Sequence, residues 1–180
     1  LNSEAIGLSW LGTFHSICAK LLRKHAPAAG LTSNFTIIDT DDQVRLIKNI
    51  CKAESIDIKQ LAPKYILSII DKWKNKGFYP NEVIINKNDI YEKTILPLYK
   101  IYQQKLLDLN ACDFGDLILH VVKILERNLD IRSIYSNNFK YILVDEYQDT
   151  NYIQSRWLYL LSEKYKNICC VGDDDQSIYS

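Results

Sequence analysis

One short stretch of the chain restricts its fold more than any other. Residues 141–151 read YILVDEYQDTN, so four apolar side chains run directly into the acidic pair Asp145 and Glu146. A short apolar run without alternation is typical of a strand that is buried on both faces, as in a parallel sheet. Ligands of such sheets bind beyond the carboxyl ends of the strands, which is where both carboxylates are expected. We therefore expect a functional site there, although an acidic turn after a core strand has the same pattern.

Two adjacent carboxylates at a strand end can perform two different tasks. One can hold a hydrated Mg²⁺, because this ion takes one or two carboxylates and keeps several of its waters. The other can act as a general base that polarises an attacking water. The acidic pair taken by itself does not distinguish these roles from a plain surface turn.

A second apolar run strengthens the prediction of a parallel sheet. Residues 168–171 read ICCV and are followed by GDDDQ at 172–176, and the residues between the two runs fit a helix. A strand, a helix and a strand within about 35 residues form a βαβ unit, in which the two strands are parallel and close. The polar residues Asp173 to Gln176 should then lie beside Asp145 and Glu146. Two polar clusters at one sheet edge favour a site for a metal ion and a nucleotide.

Apolar residues at helical spacing predict helices in most of the remaining chain. The loosely alternating residues 8–14 predict a strand that leads into the first helix, for which Thr13 is the candidate N-cap. The other helices are predicted after Asp41 or Asp42, before Gly77, near 87–110, from the N-cap Asp113 with Phe114 facing inward, over 131–137, and after the N-cap Asn151. The sequence thus predicts an all-helical part, residues 41–110, inserted into an α/β chain.

The segment at 72–76 reads KWKNK and places three lysines around a tryptophan. This composition is used for phosphate contacts in nucleic-acid sites. A solvated helix end, with cations near the C-terminal end of the helix dipole, explains the segment as well.

Composition excludes several classes of protein. Hydrophobic residues make up 47% of the 180-residue chain and charged residues 24%, as in ordinary globular proteins. No apolar run approaches the roughly 20 residues that a membrane span needs. The five cysteines form no C-x-x-C pair, so we expect core thiols in a reducing cytosol and neither a disulfide framework nor a zinc site. The chain starts at Leu1 and contains no Met, so we expect it to be a segment of a longer protein.

Four motifs together resemble the superfamily 1A DNA helicases of the UvrD/PcrA/Rep type. They are GTFHSIC at 12–18, DFGDLI at 113–118, VDEYQDTN at 144–151 and VGDDDQSIY at 171–179, and the resemblance covers essentially the whole chain. It implies an incomplete RecA-like parallel sheet of the P-loop NTPase type. Residues 1–40 and 111–180 would form this motor domain, 1A, and residues 41–110 the inserted all-helical subdomain 1B.

The resemblance also implies a nucleotide site that binds ATP and Mg²⁺. Asp145 would hold the metal ion through water, with Glu146 beside it as the catalytic base. Gln176 would sense the γ-phosphate, and Gln148 and Asp149 would connect the nucleotide site to neighbouring motifs.

A DNA-contacting surface is implied in the same way. Thr13, Phe14 and His15 would contact single-stranded DNA, and Tyr179 would stack on bases. Two positions depart from the family pattern: Gly115 stands where Asp is usual, and Asp174 stands where a small residue is usual.

The implied activity is that of a cytoplasmic, ATP-dependent DNA helicase. Such an enzyme moves 3′→5′ on single-stranded DNA, opens single-strand/double-strand junctions in repair or replication, and can bind repair proteins. The chain contains no G-x-x-x-x-G-K-[ST] sequence and no second motor domain, so we expect the segment alone to hydrolyse ATP negligibly. Two alternatives stay open: a DNA- or partner-binding module without a P-loop, and a subunit of a RecB/AddA-like helicase-nuclease.

Overall fold

A computed structural model describes residues 10–85 and 89–173, and within them the chain forms seven α-helices and four short strands. The helices are α1 (Phe14–His25), α2 (Thr40–Ala53), α3 (Pro63–Asn75), α4 (Ile90–Asp108), α5 (Phe114–Arg127), α6 (Leu129–Asn138) and α7 (Tyr152–Ser162). The strands are β1 (Thr36–Ile37), β2 (Ala111–Cys112), β3 (Ile142–Val144) and β4 (Ile168–Cys170). Short 3₁₀ turns lie at Ala26–Ala29 and Tyr147–Asp149. No helix in the described part of the chain is long and apolar enough to cross a membrane.

The strands form two small parallel pairs. In the first, Thr36 lies opposite Ala111 and Ile37 opposite Cys112. In the second, β3 and β4 pair over three residues, with α7 as the connection between them. The predicted βαβ unit is therefore confirmed, and the chain is of the α/β class.

The prediction that residues 141–144 are buried on both faces is wrong. Val144 is buried and Ile142 is half-buried, whereas Leu143 is 83% and Tyr141 79% exposed. Successive side chains of a strand point to opposite faces, so the described residues cover only one face of β3, and all three residues of β4 are exposed. An apolar strand sequence shows what each face prefers, but burial also requires an element that packs on it.

The cysteines also divide into buried and exposed residues. Cys18, Cys51 and Cys112 are buried, as predicted for core thiols, and none of the five forms a disulfide. Cys169 and Cys170 lie in β4 and are exposed, so the prediction is wrong for them.

Buried apolar side chains form two separate clusters. The larger cluster joins α1, α5, α6 and α7 with β3, and the smaller one joins α2, α3 and α4. The two clusters meet at the β1–β2 pair. Ala111 belongs to the smaller cluster and its neighbour Cys112 to the larger, while Ile37 packs on the larger cluster and Ile38 on the smaller. The β1–β2 pair thus lies at the boundary between the two cores.

Short polar side chains fix where the helices begin. Thr13 Oγ1 accepts from the backbone N–H of Ser16 at 3.2 Å, which confirms it as the N-cap of α1. Asp113 and Asn151 cap α5 and α7, each in a reciprocal capping box. The cap of α2 is Asp39 and not Asp41 or Asp42, which lie in the first turn of that helix.

The predicted strand over residues 8–14 is not formed in its described part, residues 10–14. The structure describes no strand partner for this segment. Instead, the Trp10 ring packs edge-on against Tyr135 and Phe139, with centroids 6.1 and 5.2 Å apart. Helix α1 begins at Phe14.

Candidate functional site

The acidic pair lies at the carboxyl end of β3, as the sequence predicted. Asp145 and Glu146 are both exposed and directly follow the buried Val144. The backbone of Glu146 is left-handed, with φ 52° and ψ 42°, and its N–H donates to Asp145 Oδ1 at 3.0 Å. This conformation is uncommon for a residue other than glycine and often marks a functional turn. It bends the chain from the strand into the 3₁₀ turn.

Gln148 connects the acidic pair to the next strand. Its Nε2 donates to Glu146 Oε2, and its Oε1 accepts from the backbone N–H of Asp173 at 3.2 Å. The backbone adds a second link, because the N–H of Tyr147 donates to the carbonyl oxygen of Val171 at 3.0 Å. The carboxyl ends of β3 and β4 therefore lie together, which confirms the expected closeness of Asp173 to the acidic pair.

Gly172 leaves room for the Gln148 side chain. A Cβ atom added at Gly172 would lie 2.6 Å from Gln148 Oε1 and 3.4 Å from the Gln148 backbone nitrogen. Any other residue here would displace the amide group that reaches Glu146. The glycine is therefore a structural requirement of this contact.

The other residues predicted for the nucleotide site are Asp149 and Gln176. Asp149 ends the 3₁₀ turn, where its N–H donates to the carbonyl oxygen of Glu146 at 3.1 Å. Gln176 and Asp174 lie outside the described residues. Within residues 10–85 and 89–173, no group of three His, Cys, Asp or Glu side chains is arranged to hold a metal ion. The exposed Asp145 carboxylate fits Mg²⁺, which keeps several waters and takes one or two carboxylates.

The predicted DNA-contacting residues at the start of α1 have different surroundings. Thr13 is exposed and caps the helix, and Phe14 is half-buried against Trp157, with ring centroids 5.7 Å apart. His15 is half-buried, and burial lowers its pKa, so the ring is neutral at pH 7. Tyr179 lies outside the described residues.

Phe114 does not face inward, so this prediction is wrong. Its side chain is 51% exposed, and its ring lies 5.8 Å from the His15 ring in an edge-on arrangement. The inward face of the first turn of α5 is taken by Asp113 and Asp116, which are both buried. An aromatic residue beside two acids of one helical turn was the available sequence signal. This signal indicates an outward-facing ring only when the burial of the two acids is known.

The interpretation of residues 72–76 is corrected as well. Trp73 is buried and stacks on Tyr99 with centroids 5.8 Å apart, and Lys74 is only 1% exposed. The middle of the segment is therefore neither a phosphate-binding patch nor a solvated helix end. Lys72, Asn75 and Lys76 stay exposed, beside an open groove between α3 and the start of α7.

Comparison with known proteins identifies the family of the chain. The family model described as UvrD/REP helicase N-terminal domain matches residues 1–180. The "Probable DNA helicase II homolog" of Rickettsia conorii is 45% identical over 172 residues, which are 94% of this chain and 26% of that protein. The "ATP-dependent DNA helicase PcrA" of Staphylococcus epidermidis is 42% identical over 179 residues, 99% of this chain and 25% of that protein. The chain spans about a quarter of the length of these relatives. It belongs to the UvrD/REP helicase N-terminal domain family.

Proposed function

We propose that this chain is part of an ATP-dependent DNA helicase and carries half of its nucleotide site. The observation that supports this most directly is the acidic pair, Asp145 and Glu146, tied through Gln148 to the end of a neighbouring parallel strand. Ligands of parallel sheets bind at this edge. Both relatives named above carry the word helicase in their names, and one of them is named as ATP-dependent.

The proposal divides the chain into two parts. Residues 1–40 and 111–180 form an incomplete RecA-like motor domain, 1A, and residues 41–110 form the helical subdomain 1B. The two apolar clusters that meet at the β1–β2 pair support this division. Because β1 and β2 are neighbours, the chain leaves the motor part and returns to it at one place, as expected for an inserted subdomain.

In the proposed nucleotide site, Asp145 would hold Mg²⁺ through water and Glu146 would be the base that orients the hydrolytic water. Gln148 positions the Glu146 carboxylate, while Asp149 and Gln176 complete the site. A G-x-x-x-x-G-K-[ST] loop, which supplies phosphate-binding N–H groups and a lysine, does not occur in residues 1–180. We therefore propose that the full-length protein supplies these groups and that the chain alone hydrolyses ATP negligibly.

The DNA-contacting surface of this proposal is centred on His15 and Phe114. A neutral imidazole and an exposed phenyl ring offer faces on which bases can stack, and such stacking tolerates every sequence. Thr13 and Phe14 shape the start of α1 beside this pair, and Tyr179 would add a further ring. Translocation 3′→5′ on single-stranded DNA, in cytoplasmic repair or replication, completes the proposed function.

Replacing Glu146 in the full-length protein tests the nucleotide site. We expect Glu146→Gln to lower DNA-stimulated ATP turnover by roughly 10²–10⁴-fold, the usual contribution of a general base, while nucleotide binding is retained. Glu54→Gln, an exposed carboxylate at the end of α2, is the matched control and should leave turnover unchanged. Equal turnover in the Glu146→Gln variant and the wild type would show that the catalytic site lies elsewhere. DNA binding without any turnover in the wild type would favour the binding module.

Replacing the aromatic pair tests the DNA surface. We expect Phe114→Ala and His15→Ala each to weaken single-stranded DNA binding about tenfold, because stacking on one base contributes roughly 1–3 kcal/mol. The control is Tyr65→Ala, since Tyr65 forms an edge-on pair with Tyr91 in the helical part, with centroids 5.9 Å apart. Fluorescence anisotropy with a labelled oligonucleotide measures all three affinities. An unchanged affinity in Phe114→Ala would remove this surface from the proposal.

A further inference from the structure

A buried ionic cluster joins the helical part of the chain to the first turn of α5. Lys74 of α3 is 1% exposed, and Asp113 and Asp116 are 1% and 0% exposed. Lys74 Nζ lies 2.6 Å from Asp113 Oδ2 and 2.8 Å from Asp116 Oδ1. Charged groups are almost never buried this completely unless they are paired, so each charge of the cluster depends on its partners.

Every oxygen of the two carboxylates accepts a hydrogen bond. Tyr102 OH donates to Asp113 Oδ2 at 2.9 Å, and Gln103 Nε2 donates to Asp116 Oδ1 at 3.1 Å. The other two oxygens accept the backbone N–H groups of the capping box, from Asp116 at 2.8 Å and from Asp113 at 3.3 Å. The first turn of α5 is therefore fixed by directional contacts from both α3 and α4.

Lys74 and Asp116 stabilise each other's charges, whereas burial and the neighbouring Asp116 carboxylate raise the pKa of Asp113. Burial acts to lower the pKa of Lys74, but the carboxylates of Asp113 and Asp116 outweigh it and hold that pKa above its usual value. For Asp116, burial acts to raise the pKa, and the Lys74 ammonium outweighs it in turn. The lysine thus stays protonated while it is enclosed, so the contact is a true ion pair.

The residue held by this turn is Phe114, whose ring lies against His15. Phe114 follows Asp113 directly and precedes Gly115, at which an added Cβ would lie 3.0 Å from Lys74 Cδ. The lysine stem therefore runs beside the backbone that carries the exposed ring. A displacement of α3 would move the turn, and the turn would move Phe114.

We infer that Lys74 is a positioning residue of the DNA-contacting surface, through which the helical part sets the place of Phe114 relative to His15. The inference rests on the proposed role of these two rings in DNA binding. In this arrangement a side chain that never touches DNA determines whether one half of the stacking surface is preformed. The helical part and the stacking surface then cannot shift independently.

The test uses the full-length protein and a double-mutant cycle. Lys74→Met keeps the length of the side chain and removes its charge, and Asp113→Asn is a milder variant that keeps an N-cap residue on α5. Lys64→Met, an exposed lysine at the start of the same helix, is the control. Single-stranded DNA affinity is measured for folded protein, with Phe114→Ala as the second change of the cycle.

We expect Lys74→Met to weaken DNA binding about as much as Phe114→Ala does, roughly tenfold, with the double variant no weaker than either one. Asp113→Asn should act in the same direction by a smaller factor. Hydrogen exchange of the peptide around residues 113–119 should be faster in both cluster variants and unchanged in Lys64→Met. Additive losses in the cycle, or unchanged exchange in that peptide, would overturn the inference.

The exchange measurement does not involve DNA, which separates this inference from the proposed function. If Phe114→Ala leaves DNA affinity unchanged while the cluster variants still loosen the turn, the DNA surface is wrong and the positioning of the turn by Lys74 stands. If Phe114→Ala weakens binding and Lys74→Met does not, the surface is supported and the positioning role is refuted. Should Lys74→Met fail to fold, Asp113→Asn decides between these outcomes.

Discussion

At the scale of single residues, Asp71 carries a pH dependence that can be measured. Partial burial and the nearby carboxylate of Asp113 raise the pKa of Asp71 to about 6. The folded protein then binds more protons than the unfolded chain between roughly pH 4 and 6, so this group lowers stability as the pH rises through that window. Asp71→Asn should therefore raise the thermal midpoint at pH 7.5, by at most about 2–4 °C for a partly exposed group. Calorimetry at about pH 2.5, below both the folded and the unfolded pKa of Asp71, should show no difference, because the carboxyl is then protonated in both states.

Gly172 is a second residue with a direct prediction. Gly172→Ala places a Cβ on the Gln148 amide and should break its contacts with Glu146 and Asp173, at about 1 kcal/mol of stability. Chemical denaturation gives the value, and Gln148→Ala should add little in the Gly172→Ala background, because the contact is already lost. Fully additive losses would mean that the two residues act separately.

At the scale of the secondary-structure elements, α7 depends on one residue for two contacts. Asn151 Oδ1 accepts from the backbone N–H of Gln154 at 3.0 Å, and its Nδ2 donates to Asn75 Oδ1 at 3.0 Å. Asn151→Ala should cost about 1–2 kcal/mol of stability, since the cap and the link to α3 are both lost. Asn151→Ser keeps a cap oxygen but lacks the amide group that donates to Asn75, and it should recover most of the loss. If both variants are equally unstable, the link to Asn75 and not the cap is the main contribution.

The elements also show which features were predictable from sequence. The caps Thr13, Asp113 and Asn151 and the parallel β3–β4 pair follow from chemistry within a few residues or from one βαβ unit. The environment of Lys74 does not, because its partner Asp113 is 39 residues away. The outward direction of Phe114 accompanies the burial of Asp113 and Asp116, which the local sequence does not indicate. In the candidate site, the acidic pair was predictable from sequence. The hydrogen bonds of Gln148 to Glu146 and Asp173 were not, because they depend on how the loops after β3 and β4 lie relative to each other.

At the scale of the whole molecule, one apolar face of the β3–β4 sheet has no cover among the described residues. Tyr141, Leu143 and Val171 are all exposed there. Exposed apolar sheet surfaces promote association between copies, so we expect the 180-residue chain to self-associate when it is produced alone. Leu143→Ser should shift the sedimentation profile towards the monomer, and Leu129→Ser, an exposed leucine on α6, should not. A monomeric wild-type chain would contradict this expectation.

The β1–β2 pair has a consequence for protein engineering. Since β1 and β2 pair in parallel, a crossover linker of about a dozen residues could replace everything between the two strands, and the helical part would become a removable cassette. Its removal would also take away Lys74 and leave Asp113 and Asp116 without their cation. A workable deletion therefore has to neutralise both acids as well. The chain connections between the two cores can be rerouted, but the ion pairs of Lys74 with Asp113 and Asp116 still join the cores.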